Sequence, residues 1–425
     1  MKKIALVTMD DEYVQNLILS NFAKKQHWQV LTKADIDWSN DNDDDRNKKT
    51  MENTRYDFHW GEYEHIDFFS SGFTSEETVV SCYYNRKGMI RKGNLALILE
   101  KWQSKYKGIK IPIAPKSYVL RLPILESDLN LDSNSNSNSN STQTSKQLEQ
   151  AIDEALSNSG FSGFSEMSKK QNESNSVFIL KPSVTNQANG ISLIPSKIQL
   201  YNAISKSDAV QRAGDFVLQQ YIPPLLLDKR KFHLRVFLLL HGNITALVYP
   251  DFLAIFSLEA YENAPLENTR AHLTNIAHQE ILSLEDQHKC MRRFDETIDD
   301  MLNAKLVTNK EEAKERIDFV QHRVYDIIAE MVEAVTSELT FVSKNNCFEL
   351  FGLDFMIDPD WNVWLLEANA EPDLSKAGDR LQGLIDNMLE DTLEEVTTNN
   401  PKFATDDERK STRFVKVFER KGRSF

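Results

Sequence analysis

The sequence predicts a mixed α/β chain with more than one sheet-containing lobe, and three stretches carry that prediction. Lys3 to Met9 is a short apolar run suited to a buried strand, and Tyr13 to Phe22 follows with helical spacing at Val14, Leu17, Ile18 and Phe22. Cys347 to Ala370 reads as two apolar strands joined by a tight turn. Between these ends, Ile317, Val320, Val324, Ile327, Ile328, Met331 and Val335 form the apolar stripe of a long helix over Glu311 to Leu339, a core-facing feature. A chain of 425 residues has room for two or three such lobes, each with a substantial core.

Charge and cysteine usage narrow the function classes. Lys+Arg 50 against Asp+Glu 64 gives a net charge of −14, which disfavours direct nucleic-acid binding and anionic membranes while leaving room for a local basic groove. Cys82, Cys290 and Cys347 are widely spaced and odd in number, the pattern of reduced thiols in a cytosolic or nuclear setting rather than of a disulfide framework. No apolar run reaches transmembrane length, and Asp10-Asp11-Glu12 interrupts the first apolar stretch, so neither a membrane span nor a signal peptide is expected.

Taken in order, the opening strand and helix suggest a small open α/β lobe, and Asn40 to Asn47 reads as an exposed loop. Thr78 to Tyr84 has strand character, and Asn94 to Trp102 reads as a helix. The basic, Gly-punctuated stretch from Asn85 to Gly93 between them reads as a solvated turn or as a phosphate-facing loop before a helix N-terminus. Ser133 to Ser145 is too polar to bury anything and reads as a disordered insertion, with at most a helix over Gln147 to Leu156 behind it. Helical patterns return at Lys197 to Ala213, at His278 to Leu306 and at about Ser375 to Val396, after which a mixed tail carries basic residues from Arg409 to Arg423. The expected lobes are 1–115, 116–225 with the insert at about 127–146, 226–400, and a tail over 401–425.

The hairpin near the end holds few polar residues. A four-residue loop, Pro359-Asp360-Trp361-Asn362, with Asn tolerating the left-handed conformation at its end, places Asp354 directly opposite Glu367. Asn369 follows on the same face as Glu367 because side chains alternate along a strand. Opposed carboxylates repel. A divalent cation removes the conflict, and two carboxylates with an amide oxygen are hard ligands suited to Mg²⁺ shared with substrate phosphates. A surface hairpin with incidental acids is the other reading.

Upstream, Val177 to Pro182 is a strand ending in Lys181, followed by a polar loop to Gly190 and a returning strand at Ile191 to Ile194. Such a loop offers backbone N–H groups to phosphate, Gly190 allows close approach and Lys181 supplies charge, although a structural lysine explains the residues equally. Phe216 to Ile222 is a further strand whose exit backbone suits a purine edge. In the following strand, Lys231, His233 and Arg235 share one face while Phe232, Leu234 and Val236 take the other. Three cationic or titratable groups in a row repel one another unless the face is wet or opposite an anion, and the apolar residues that continue to Leu240 favour the anion.

These motifs together resemble the tubulin-tyrosine-ligase-like family of ATP-grasp proteins. The resemblance rests on Lys181-Pro182 with Gly190, Gln219-Gln220-Tyr221-Ile222, Arg230 to Arg235, His272-Leu273-Thr274-Asn275, Phe348 to Asp354 and Trp364 to Asn369, joined by Tyr83-Tyr84, Arg91-Lys92 and Pro115 to Leu120. It implies an ATP-grasp fold in which a small N-terminal α/β lobe precedes two sheet-containing lobes that hold a nucleotide between them. It further implies an ATP- and Mg²⁺-dependent ligase joining an amine to a protein or peptide carboxylate through an acyl-phosphate. By motif, Lys92, Lys181 and Arg235 are expected at the phosphates, Gln219, Gln220, Tyr221 and Ile222 at the adenine, and Lys231 on the adenine side. His233 falls at the ribose position, Asn275 at the floor, and Asp354, Glu367 and Asn369 at the metal, so that Arg235, Glu367 and Asn369 carry the catalytic assignment. Within the family the chain is most similar to a fungal, processing-body-associated branch, which implies a cytoplasmic setting and mRNA-decapping factors as partners.

Two departures keep a second reading open. His233 stands where the family has an acidic residue, and the family's arginine on the next strand is missing from Tyr249 to Phe256, where Ala254 occupies about its place. Losing such a clamp lowers catalysis by orders of magnitude while sparing nucleotide binding. The alternative is therefore a catalytically weak or inactive nucleotide-binding module that serves as a scaffold in mRNA decapping.

Overall fold

The computed structural model describes residues 2–35, 56–123, 140–163, 177–183, 190–207, 214–274, 290–375, 378–398, 400, 402–403 and 410–420. Three sheets organise them. In the first, Trp28–Thr32, Lys3–Thr8, Phe58–Gly61 and Val79–Val80 lie side by side in that order, all parallel. Parallel strands need both faces covered. Glu12–Ala23 covers one with Val14, Ile18 and Phe22, and Asp11 caps that helix by accepting from the Val14 N–H at 3.1 Å.

The central sheet is antiparallel, in the order Ser117–Arg121, Asp215–Gln220, Phe178–Pro182, Ser192–Ile194. Ile152, Ala155 and Leu156 of one helix and Leu200 and Ile204 of another seal its core. The large sheet has eight strands built on the twelve-residue strand Arg230–His241. Leu253–Phe256 pairs with its first half and Thr245–Val248 with its second, while Phe348–Ile357 runs antiparallel along its other edge from Phe355 opposite Leu234 to Phe348 opposite His241.

Period-two alternation divides this axis strand into two unlike faces. Phe232, Leu234, Val236, Leu238 and Leu240 enter one core, closed by Lys310–Thr336, whose buried Ile317, Val320, Val324, Ile327, Ile328, Met331 and Val335 are the stripe read from sequence. The other face begins with Lys231, His233 and Arg235 and turns apolar at Phe237 and Leu239, which pack in a second core with Ile385, Met388 and Leu389. The charged end of that face is where the functional side chains collect.

Several elements differ from expectation. The strand expected over Thr78 to Tyr84 shrinks to Val79–Val80, because the chain then crosses to the hairpin, the Val80 N–H bonding the Asn346 carbonyl at 2.8 Å. The basic stretch Asn85 to Gly93 is not an open turn: Lys87–Ile90 forms a helical turn and Lys92 begins the Lys92–Lys105 helix. The helix expected over Gln147 to Leu156 runs over Asn140–Asn158, reaching back into the Ser/Asn run, while 36–55 and 124–139 lie outside the described residues. Met291–Arg293 is an edge strand of the large sheet where a helix was expected, since its backbone is claimed by Leu253–Phe256. In the tail, Val415–Glu419 joins the same sheet against Thr245–Val248. Cys82, Cys290 and Cys347 are all buried and in no disulfide among the described residues, where no helix is long and apolar enough to cross a membrane either.

Candidate functional site

The hairpin strands Phe348–Ile357 and Val363–Ala370 bring Asp354 opposite Glu367, as the sequence predicts, but by another route. The loop holds five residues rather than four, with Trp361, not Asn362, in the left-handed region at φ 64°. Ile357 therefore pairs with Val363 and Phe355 with Leu365, one step out of the expected register, and a bulge between Asp354 and Phe355 restores it at Asp354 and Glu367.

Cations of the protein relieve the cross-strand repulsion. Arg235, the partner of Asp354 on the axis strand, donates from Nε to Oδ1 at 2.6 Å and from Nη2 to Oδ2 at 3.1 Å. Lys92 Nζ, at the start of its helix, lies 3.6 Å from Glu367 Oε2. Asn369 bridges the acids, its Nδ2 lying 3.3 Å from Glu367 Oε1 and 3.5 Å from Asp354 Oδ2. Burial would raise the Glu367 pKa, yet Lys92 and Lys181 outweigh it and hold the carboxyl at about 2.

The lysines are buried with few anions to meet them. Lys181 Nζ donates to Gln219 Oε1 at 2.8 Å, and Gln219 Nε2 to Ser117 Oγ at 3.1 Å, so Gln219 holds Lys181 in place. Burial lowers the Lys181 pKa. Lys231 Nζ donates to the Tyr221 hydroxyl at 3.1 Å and sits 4.3 Å from the centre of its ring. Burial, with Lys181 nearby, lowers its pKa to about 7. The Gln220 N–H bonds the Lys116 carbonyl at 2.8 Å and the Tyr221 N–H the Val177 carbonyl at 3.0 Å, so these two donors in the strand exit are already engaged.

His233 hydrogen-bonds through Nδ1 to Thr274 Oγ1 at 2.6 Å, while its buried Nε2, 3.6 Å from Asp354 Oδ1, has no hydrogen-bond partner among the described residues. Burial holds its pKa at about 4, so the ring is neutral. Lys181, Lys231, His233, Thr274, Asp354 and Glu367 border a cleft of about 70 Å³. A larger cavity of about 610 Å³ meets that cleft at Lys181 and Glu367 and runs beneath the Lys92–Lys105 helix. Lys181, Lys231, Asp354 and Glu367 border the smaller cleft, whereas Lys92, Gln219 and Gln220 line the larger cavity, so the candidate site extends over both where they meet. Gly190, at φ 75°, has the left-handed backbone that favours glycine, and Asn275 lies outside the described residues.

One assignment from sequence changes. Ala254 pairs with Leu234 and shares its buried face, away from the cleft. The residue on the site face is Ile255, opposite His233, and it is likewise not an arginine. Two contributors were not assigned from sequence although their motifs were read. Thr274 anchors His233, and Gly352 lets Arg235 lie against the hairpin, since a Cβ there would come 3.1 Å from Arg235 Cδ and 3.0 Å from Pro372 Cβ.

The donor set suits a nucleotide with a divalent cation. Two carboxylates and two buried lysines border the cleft, the Asn369 amide lies beside both acids, and His233, whose Nε2 has no partner among the described residues, lines the cleft as well.

Comparison with known proteins identifies the fold and the family. The C-terminal domain of Pby1 from Kluyveromyces lactis, described as an ATP-grasp enzyme interacting with the mRNA decapping enzyme Dcp2, superimposes with a TM-score of 0.61 at 22% identity, covering 98% of this chain and 100% of that one. The fold is therefore ATP-grasp. The probable tubulin–tyrosine ligase PBY1 of Saccharomyces cerevisiae is 28% identical over 408 residues, spanning 85% of this chain and 49% of that protein, so the chain covers about half of that relative's length. The probable tubulin–tyrosine ligase C12B10.04 of Schizosaccharomyces pombe is 27% identical over 79% of this chain and 81% of its own. A family profile described as the tubulin-tyrosine ligase family matches residues 131–406, and the chain belongs to that family.

Proposed function

We propose that the chain is a ligase domain that uses Mg·ATP to join an amine to a protein or peptide carboxylate. The carboxylate oxygen attacks the γ-phosphorus, ADP departs, and the amine then displaces phosphate from the acyl carbon to leave an amide. The observation that carries this reading is the convergence of Lys92, Lys181 and Arg235 on the Asp354–Glu367 pair, with Lys231 beside Lys181. Asp354, Glu367 and the Asn369 amide would hold Mg²⁺, which when bound draws charge from the transferring phosphoryl group. Lys92, Lys181 and Arg235 fix the phosphates, while Lys231 and Tyr221 border the base. His233, neutral with a free ring nitrogen, accepts a hydrogen bond from a ribose hydroxyl. Calorimetry with Mg·ATP and a non-hydrolysable analogue tests the reading: micromolar binding to both, followed by acceptor-dependent ADP release, is expected, and absence of binding overturns it.

Ile255 favours a second reading. With no arginine on the neighbouring strand's site face, the cleft lacks one clamp for the charge that develops in transfer, and the domain then serves as a nucleotide-binding scaffold. Because the similar Pby1 domain of K. lactis interacts with Dcp2, the partner on this reading is an mRNA-decapping factor in the cytoplasm, in processing bodies. Nucleotide binding without ADP release for any acceptor, together with capture of that factor, supports this second reading. Acceptor-dependent ligation lost in Asp354→Asn sinks it.

A further inference from the structure

Away from the cleft, Arg86 is a buried cation between two carboxylates that the proposed chemistry does not use. Its Nη1 contacts Glu349 Oε1, its Nη2 lies 3.1 Å from Glu371 Oε1, and its guanidinium sits 4.4 Å from the centre of the Tyr63 ring. Glu349 also accepts from the Tyr83 N–H at 3.1 Å, and Glu371 from the Tyr63 N–H at 3.2 Å. Cys82, Glu349 and Glu371 are near enough to one another to hold a metal ion. Arg86, however, already binds both carboxylates, and burial raises the Cys82 thiol pKa, so this is an ion pair rather than a metal centre.

The positions of the two acids in the chain give the cluster its meaning. Glu349 lies on the strand that carries Asp354, and Glu371 comes two residues after Asn369, directly beyond the strand that carries Glu367. Arg86 thus ties together the open end of the metal-bearing hairpin and anchors it to the Tyr63–Tyr83 region. Glu371 stands at φ 50°, a left-handed conformation that is strained for a non-glycine residue and persists only when its surroundings hold it. Backbone bonds already join the Val80 and Gly88 N–H groups to the carbonyls of Asn346 and Thr340. What Arg86 adds is a charged contact to Glu371, beside the bond from the Tyr63 N–H.

We propose that Arg86 and Glu371 form a positioning latch that fixes the exit of the Val363–Ala370 strand and thereby holds the Asn369 amide between Asp354 and Glu367. The latch rests on the nucleotide and metal reading of that site but touches neither ligand. Its loss loosens the third metal-binding group and leaves the two carboxylates in place.

The test uses Glu371→Asn, because asparagine tolerates the left-handed backbone yet is too short to reach Arg86, and the buried Arg86–Glu349 pair survives. Mn·ATP affinity by calorimetry is expected to fall about tenfold, the scale of a lost partner behind a metal ligand, with the melting temperature nearly kept. In an Asn369→Ala background the same change should cost less than about twofold, because the latch acts through Asn369. Hydrogen exchange of the nucleotide-free protein should rise over 366–371 and stay unchanged in the Lys310–Thr336 helix. Unchanged affinity and exchange in Glu371→Asn, or a full additive loss in the Asn369→Ala background, overturns the latch. Failure of the parent protein to bind Mn·ATP overturns the nucleotide reading instead, and the exchange measurement alone then decides the latch.

Discussion

Arg235 grips Asp354 at two points, Nε to Oδ1 at 2.6 Å and Nη2 to Oδ2 at 3.1 Å, with the carboxylate buried and the guanidinium partly so. A divalent cation bound at Asp354 must share that carboxylate with a guanidinium already in place. Arg235→Gln removes one positive charge a few ångströms from the metal position. Mn²⁺ affinity of the nucleotide-free protein, read by electron paramagnetic resonance, should rise at least about tenfold, a modest part of the Coulomb energy at that separation. The unpaired acid should also cost about 3 kcal/mol or more of stability, which Mn²⁺ restores. Mn²⁺ affinity that falls or stays level would show that arginine and metal use different parts of the carboxylate.

Lys231 carries a proton problem that a nucleotide would solve. Burial, with Lys181 nearby, brings its pKa down to about 7 from its ordinary 10.5. Between those values the unfolded chain holds a proton that the folded chain has shed, so Lys231 makes stability rise with pH across that window. An anionic ligand in the cleft favours the charged form and raises the folded pKa. Nucleotide binding at pH 8 should therefore take up about one proton, and at pH 6 close to none. Calorimetry in buffers of different ionisation enthalpy reads that number, and Lys231→Met should erase the buffer dependence at pH 8.

Much of this site was legible because strand period is so regular. Lys231, His233 and Arg235 fall on one face by alternation alone, and Asp354 and Glu367 were expected to oppose each other. Alternation assigns a face but not the partner across it. Lys92, nearly three hundred positions from Glu367 in the chain, became visible through its motif, whereas Arg86 with Glu349 and Glu371 carried no local signal. Ala254 shows the limit most sharply: an alignment error of one residue along a strand moves the side chain to the opposite face, and the site-facing residue is Ile255. The bulge at the hairpin could not be foreseen from spacing either, because one inserted residue cancelled one miscounted loop position.

Gly352 marks a close approach rather than an unusual backbone. A methyl group there would come 3.1 Å from Arg235 Cδ, 3.3 Å from Arg235 Nη1 and 3.0 Å from Pro372 Cβ. Gly352→Ala should push the arginine off its seat on Asp354. The expected result is a loss in Mg·ATP affinity of about tenfold, with a stability cost of about 1–3 kcal/mol from overpacking. If affinity is unchanged while stability falls, Arg235 has room to shift and its exact seat is not required for nucleotide binding.

Glu367 and the two lysines beside it set how the cleft responds to acid. Burial alone would raise the carboxyl pKa, but Lys92 and Lys181 hold it at about 2 against its ordinary 4.5. The sign follows from the depressed folded value: the stabilising contribution is complete above the unfolded pKa and disappears as pH falls from 4.5 toward 2. Glu367→Gln keeps the shape and removes the titration, so its stability should decline less steeply than the parent's over that window when unfolding is followed with urea. At pH 7 the variant leaves Lys92 and Lys181 without their carboxylate, and inorganic pyrophosphate, which offers the charge a nucleotide would bring, should stabilise it more than it stabilises the parent. Equal stabilisation of both proteins by pyrophosphate would mean that phosphates do not occupy the space between these lysines, and the nucleotide would then have to lie elsewhere in the cleft.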